Sequence, residues 1–410
     1  MAIDLSRFNV CTPEDLSARL EREPVVFYHG IDAMADSLHV GQLVGIMAIR
    51  RLQQAGHRPI LVVGGGTTLV GDPSGKDAER PLLSEEQIAA NAAAIRAQLE
   101  RFLDFGEGGA LLLNNADWLR PLSLMTFLRD VGKHVTVNVM MGKESVKARL
   151  EGREQGISYT EFSYMLLQAY DFLHLFREHR CRMQVGGSDQ WGNITLGIDL
   201  IRRTVGEEAY GAAWPLLLKA DGTKFGKTET GTVWLAAEKT TPYDFFQYWV
   251  NASDDDVGRY LRLFTDLSEA DIADLMAAPP EQRSAQHRLA HELTATVHGP
   301  EGVAAAERAS AALFGGDPTT MSEAELLSAF ADAPSSEARL DGARVLQLFA
   351  EALEGGSKSA ARRTASQGGA YVNNRQENEL DRPVRQEDLV AGHYLVLRKG
   401  RKRYHLVRFG

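Results

Sequence analysis

Three short segments of this 410-residue chain carry the side-chain types that phosphate chemistry uses. In "DSLHVGQL" (36–43), Asp36 or Ser37 is expected to cap a helix, which puts His39 and Gln42 three residues apart on one face of its first turn. A helix N-terminus offers free N–H groups and a partial positive charge. Gly41 lets a ligand approach the backbone, and a neutral His adds a directed donor for phosphate oxygens. The same letters also describe a capped amphipathic helix with a partly buried His. In "KADGTKFGKTETG" (219–231), Lys224 and Lys227 flank a Phe-Gly step. Two ammonium groups on such a loop can fold over a polyphosphate and neutralise leaving-group charge. "GDPSGKDAER" (71–80) adds Lys76 and Arg80 on a Gly/Pro/Ser-rich loop. Any one of the three could be surface charge; together they point to phosphate handling. None fits GxxxxGK[ST], which disfavours a P-loop nucleotidase.

The elements that must position these loops alternate strand and helix. "EPVVFYHGI", "LVGIMAIRRLQQAG" and "HRPILVVGGG" read as a β-α-β unit on a parallel sheet, with Gly56 ending the helix. Helical periodicity returns in "SEEQIAANAAAIRAQLERFLDF" and "YTEFSYMLLQAYDFLHLF", and runs through 242–314. Turn residues dominate "FGGDPTTMSEAE" and "DAPSSEARLDG", the best linker candidate. A short helix, "ARVLQLFAEAL", and two strand-like runs in "HYLVLRKGRKRYHLVRF" close the chain.

Composition narrows the class. At 44% hydrophobic, the chain can build two or three cores, and it has neither an apolar stretch of membrane-spanning length nor a signal-peptide layout, so a cytoplasmic location is expected. Cys11 and Cys181 stand far apart without CxxC or Cys/His spacing, which argues against disulfides and zinc. The net charge of −10 hides an asymmetry: from Ser357 onward twelve Lys/Arg face five Asp/Glu, net +7, leaving −17 on the residues before. A basic tail can meet a phosphate backbone or be a solvated turn.

The motifs form a family pattern. "SLHVGQL" resembles the HIGH motif and "KFGKT" the KMSKS motif of class I aminoacyl-tRNA synthetases. "GGSDQWGNITLGIDLIRR", "GDPSGKDAER", "FSYMLLQAYDF" and "LRDVGKHVTVNVMMGKESVKARL" are similar to bacterial tyrosyl-tRNA synthetases. "SKSAARRTASQGGAYVNN" resembles an S4-type RNA-binding module. The resemblance implies an α/β fold: a Rossmann-like parallel-sheet catalytic domain (1–215), a KMSKS-type loop and linker (216–241), an all-helical anticodon-binding domain (242–314), a linker (315–340) and a small α+β S4-like domain (341–410).

By matching to that pattern, Tyr28 and Asp171 would bind the phenolic hydroxyl of L-tyrosine. Asp72, Tyr164 and Gln168 would hold its ammonium, with Asn115 close by. Tyr164, Gln168 and Asp171 fall at i, i+4 and i+7, one face of a helix. Asp32, Gly41, Gly186, Asp189 and Gln190 match positions around the adenylate. The implied reaction is attack of the tyrosine carboxylate on the α-phosphate of ATP, followed by transfer of the tyrosyl group to the terminal adenosine of tRNA(Tyr). Catalysis would be positioning and charge stabilisation by His39, Gln42, Lys76, Arg80, Lys224, Lys227 and Thr228. ATP enters as a substrate with Mg2+; no tightly bound cofactor and no protein metal site are expected. Lys358, Arg362, Arg363, Arg401, Lys402 and Arg403 are the expected RNA contacts. The family implies a homodimer.

The pattern also breaks. Gln42 stands where a second His is usual, Met34 where Thr is usual and His29 where Cys is common; "GGGTTLVGD" replaces the more usual "GGATGLIGD". Gln42 keeps an NH2 donor of similar reach, whereas the Met34 thioether offers none. Two further readings are therefore open from the sequence: a paralogue that activates tyrosine or an analogue for another acceptor, and an RNA-binding or regulatory protein with weakened catalysis.

Overall fold

The computed structural model describes residues 10–13, 16–71, 83–143, 146–147, 157–223, 225–228, 231–401 and 403–410. Six strands, β1 (Val10–Thr12), β2 (Val26–Ile31), β3 (Arg58–Val63), β4 (Leu111–Asn114), β5 (Cys181–Gly187) and β6 (Tyr210–Trp214), form one sheet in the order β1-β6-β5-β2-β3-β4. All pairs are parallel except β1 with β6. The expected β-α-β unit is β2, the helix Leu43–Gln54 and β3, with Gly56 in the left-handed region (φ 97°) where the helix ends. A parallel strand covered on both faces reads as an unbroken apolar run, and in β3 every residue from Pro59 to Val63 is buried. Sequence order departs from spatial order between β2 and β5, so the carboxyl ends of these neighbours, Ile31 and Gly187, flank a crevice of the kind where parallel sheets bind ligands.

The 21-residue helix Tyr159–His179 covers one face of this sheet. Ser158 begins it with a capping box, accepting from the Glu161 amide while the Glu161 side chain reaches back. Phe172, Leu173 and Leu175 are buried in the same cluster as Tyr28, Ile60 and Val62. Cys181 is buried within that cluster, where burial raises its thiol well above the usual value. The hairpin β7 (Lys227–Thr228) and β8 (Gly231–Thr232) ends the first of two compact units, residues 1–232.

The second unit, residues 233–410, opens with helices Pro242–Val250, Asp254–Phe264, Glu269–Ala277 and Ser284–Leu313, the last kinked at Gly299 before Pro300. It ends in a sheet of β9 (Ser335–Ala338), β10 (Ala370–Val372), β11 (Arg375–Gln376), β12 (Tyr394–Lys399) and β13 (Arg403–Phe409), ordered β11-β10-β12-β13-β9. Helices Val345–Leu353 and Lys358–Ser366 share its apolar core. The segment 315–340 is structured, unlike the linker expected there. It holds the helix Glu323–Ala329, whose Leu326 packs with Met321, Phe330 and Val396, and it supplies β9, parallel to β13. The polar run Ser335–Ala338 hides this strand from an apolar pattern. Among the described residues, no helix is long and apolar enough to cross a membrane.

Candidate active site

A cavity of about 280 Å³ opens at the carboxyl ends of β2 and β5. Of the matched residues, Tyr28, Asp32, Gly41, Gln42, Asn115, Tyr164, Gln168, Asp171, Gly186, Asp189 and Gln190 all line it. The face predicted for the helix Tyr159–His179 is thus the cavity wall. Asp72, Lys76, Arg80, Lys224 and Lys402 lie outside the described residues, as do the side chains of Lys227 and Thr228.

At the cavity floor, Asp171 is buried and accepts two strong hydrogen bonds, from Asn115 Nδ2 at 2.9 Å and from the Trp118 indole at 2.7 Å. Burial pushes its carboxyl up to about 7, and the two donors hold it from going higher. Among the described residues Tyr28, also buried, reaches only the Gln168 carbonyl, at a long 3.5 Å, so its hydroxyl is well placed to exchange that weak contact for a ligand. Asn115 does more than stand close by. Its Oδ1 accepts from the Gly66 and Thr67 amides, and its Nδ2 donates to Thr67 Oγ1 as well as Asp171. With all four bonds made to protein, it orients Asp171 rather than holding the substrate amine. Trp118, which no sequence motif singles out, also stacks on His174 with centroids 4.5 Å apart. Gln184, paired in register with Tyr28 and likewise outside every motif, is a buried cavity residue whose Oε1 has no hydrogen-bond partner among the described residues. Only the folded chain brings these two to notice.

On the opposite side, the cap differs from expectation. Neither Asp36 nor Ser37 caps the helix, because the Ser37 hydroxyl turns to the Leu38 carbonyl and to Gln98. His39 caps instead. Its Nδ1 accepts from the Gly41 amide at 3.1 Å, while Gln42 Oε1 accepts from the His39 amide at 3.0 Å, closing a capping box over the 3-10 turn Val40–Gln42. The Gly41 N–H is therefore spent inside the motif, and the motif's directed donor is a side chain. Because Nδ1 accepts, the neutral imidazole carries its proton on Nε2, and Gln42, whose oxygen is the capping atom, keeps its Nε2 as donor. His39 does not itself line the cavity; it shapes Gly41 and Gln42, which do. Met34 does not line it either. His29 is arranged the other way round: Nδ1 faces the Val185 carbonyl at 3.1 Å and must donate, so its Nε2 is an acceptor, and burial lowers its pKa.

The loop that carries Lys227 packs directly on the turn that carries Gly41. Gly226 has φ 85°, and a Cβ there would lie 2.9 Å from the Gly41 nitrogen and 3.2 Å from its Cα. Only glycine permits this approach, so the loop carrying Lys227 rests on the His39–Gln42 turn.

Comparison with known proteins decides the family. Residues 20–315 match the model "tRNA synthetases class I (W and Y)", and residues 325–407 match the "Tyrosine--tRNA ligase SYY-like C-terminal domain". The chain is 54% identical to the tyrosine–tRNA ligase of Roseiflexus castenholzii, over 96% of this chain and 95% of that one. The chain belongs to the class I tyrosyl-tRNA synthetase family. Another relative, the tyrosine–tRNA ligase of Geobacillus stearothermophilus, is 50% identical over 98% of this chain and 97% of its own. A C-terminally truncated mitochondrial tyrosyl-tRNA synthetase of Aspergillus nidulans superposes with a TM-score of 0.67 at 29% identity, covering 76% of this chain and 92% of that one. Against this tyrosyl-tRNA synthetase background, the exposed Lys358, Arg362, Arg363, Arg401 and Arg403 fall within the region matched by the C-terminal domain. Arg362 pairs with Asp381 at 3.1 Å, an exposed ion pair that binding can break at little cost.

Proposed function

We infer that this chain activates L-tyrosine with ATP and transfers the tyrosyl group to tRNA(Tyr). The observation that carries the reading is Asp171, a buried carboxylate fixed by Asn115 and Trp118 opposite the Tyr28 hydroxyl. A phenol satisfies both groups; phenylalanine would leave them unpaired in a dry pocket, the discrimination for which tyrosyl-tRNA synthetases are the standard illustration. Tyr164, Gln168 and Asp72 take the ammonium, which turns the carboxylate toward the His39–Gln42 turn. Asp32, Gly186, Asp189 and Gln190 hold the adenosine side.

The carboxylate displaces pyrophosphate from the α-phosphate without a protein nucleophile. Gln42 Nε2, the proton on His39 Nε2, Lys76, Arg80, Lys224, Lys227 and Thr228 neutralise the charge that builds on the phosphates. Gly226 seated on Gly41 supports this reading, since it joins the two motifs at one place. Magnesium would come with the nucleotide, bound through its phosphates.

The basic residues Lys358, Arg363, Arg401, Lys402 and Arg403, with Arg362, meet the tRNA backbone. Exposed apolar side chains at Leu124 (68%), Met125 (75%) and Val137 (61%) support pairing with a second copy through the 124–141 segment. A protein of this kind works where tRNA is, in the cytoplasm. Charging of tRNA with labelled tyrosine tests the whole reading: tyrosine should be incorporated and phenylalanine should not.

A further inference from the structure

We propose that Asn193 is a positioning residue for the amino-acid site, setting the amide orientation of Gln168; the inference rests on the tyrosine reading above. Asn193 is buried near the start of the helix Trp191–Val205 and does not line the cavity. Its Nδ2 donates to Gln168 Oε1 at 3.0 Å and to Gln190 Oε1 at 3.2 Å, while Gln168 Nε2 donates to Gln190 Oε1 at 3.3 Å. One NH2 group thus reaches two cavity residues that come from two different helical segments.

Three linked amides can point either way. Reversing all three keeps every bond among them, with donors and acceptors exchanged. Asp189 breaks the tie: Gln190 Nε2 faces its Oδ2 at 3.4 Å, and reversal would set an amide oxygen against a carboxylate. The charge therefore orients Gln190, Gln190 orients the shared centre, and Asn193 turns the oxygen of Gln168 inward to itself. An amide oxygen accepts two bonds. Asn193 takes one, and the other serves the substrate ammonium. Without the fork, Gln168 could turn an NH2 toward a cation, which repels it.

The test uses the full chain and two variants, Asn193→Asp and Asn193→Ala. The first has the same size, but its oxygens would face both glutamine oxygens and drive the amides round; the second removes the fork. Binding of tyrosine is compared with binding of 3-(4-hydroxyphenyl)propionate, the same molecule without its amine, together with the thermal midpoint. In the unaltered protein tyrosine should bind more tightly than the propionate. In both variants tyrosine should weaken at least tenfold while the propionate stays within about twofold, so that the preference for the amine collapses. Equal weakening of both ligands would overturn the inference by showing a merely structural role. So would tyrosine binding within twofold of the unaltered protein in Asn193→Asp. An unaltered protein that binds neither ligand would overturn the tyrosine reading, and the inference with it.

Discussion

The ionisation of Asp171 makes tyrosine affinity depend on pH in a predictable direction. The phenol is neutral below about pH 9 and donates its proton, so it binds the carboxylate form. With the free carboxyl at about 7, the ionised fraction rises about tenfold between pH 6 and pH 8, and the Kd for tyrosine should fall by the same factor. Trp118→Phe keeps a ring over His174 but deletes the 2.7 Å bond to Asp171. A hydrogen bond to a charged group is worth about 1.5–3 kcal/mol, which is roughly one to two pKa units. The midpoint of the affinity curve should therefore move to about pH 8–9 in this variant. The sign for folding is opposite. The folded pKa lies above the unfolded value, so the stability contributed by this group is complete at low pH and lost as pH rises through 7. Acidification should then weaken binding while relieving the fold. Equilibrium dialysis of tyrosine from pH 6 to 9 reads the effect in both proteins. A flat Kd in the unaltered chain, or a midpoint that Trp118→Phe leaves in place, would refute the assignment of the phenol to the Asp171 carboxylate.

Other consequences are briefer. Gln42→Glu keeps the capping oxygen but loses the donor and adds charge, so kcat/KM for ATP should fall about 100-fold or more in steady-state exchange while thermal melting changes little. Gly226→Ala must clash with Gly41 and leave a favoured backbone region, and stopped-flow measurement should show adenylate formation slowed with tyrosine binding retained. Replacing Lys358, Arg363 and Arg403 together by Ala should weaken tRNA binding and reduce the salt slope by about one for each phosphate no longer neutralised, leaving adenylate formation unchanged in a filter-binding and exchange comparison. Val137→Glu should shift the mass measured by light scattering toward a single chain; an unchanged mass would remove the proposed role of that apolar face.

Much of this was legible in the sequence because it depended on local spacing. The β2-helix-β3 unit showed as an apolar run, a 3.6-residue period and a glycine stop, and Tyr164, Gln168 and Asp171 shared a face by number alone. What was not legible depends on contacts across the chain. Trp118 reaches Asp171 from 53 positions away, Asn193 crosses 25 to Gln168, and Gln184 acquires its place only by register with Tyr28. The helix cap is not at Asp36 or Ser37, because Leu38 and Gln98 engage the Ser37 hydroxyl and His39, an uncommon capping residue, takes the position. β9 is a polar edge strand with no alternating apolar pattern. Its position bears on truncation as well: a cut near 340 would keep β9 but remove β13, the strand it pairs with, so point variants are the better test of RNA contacts.

The central claim is that the departures at Met34 and Gln42 leave a working tyrosine-activating site. Tyrosine-dependent ATP/pyrophosphate exchange on the purified full chain tests it most directly, with phenylalanine as control and with Met34→Thr and Gln42→His made singly and together. Exchange with tyrosine and none with phenylalanine is the predicted result, since Gln42 retains a donor and Tyr28, Gln168 and Asp171 line the cavity. No exchange in the unaltered chain would contradict it, whether or not a restored variant gains activity.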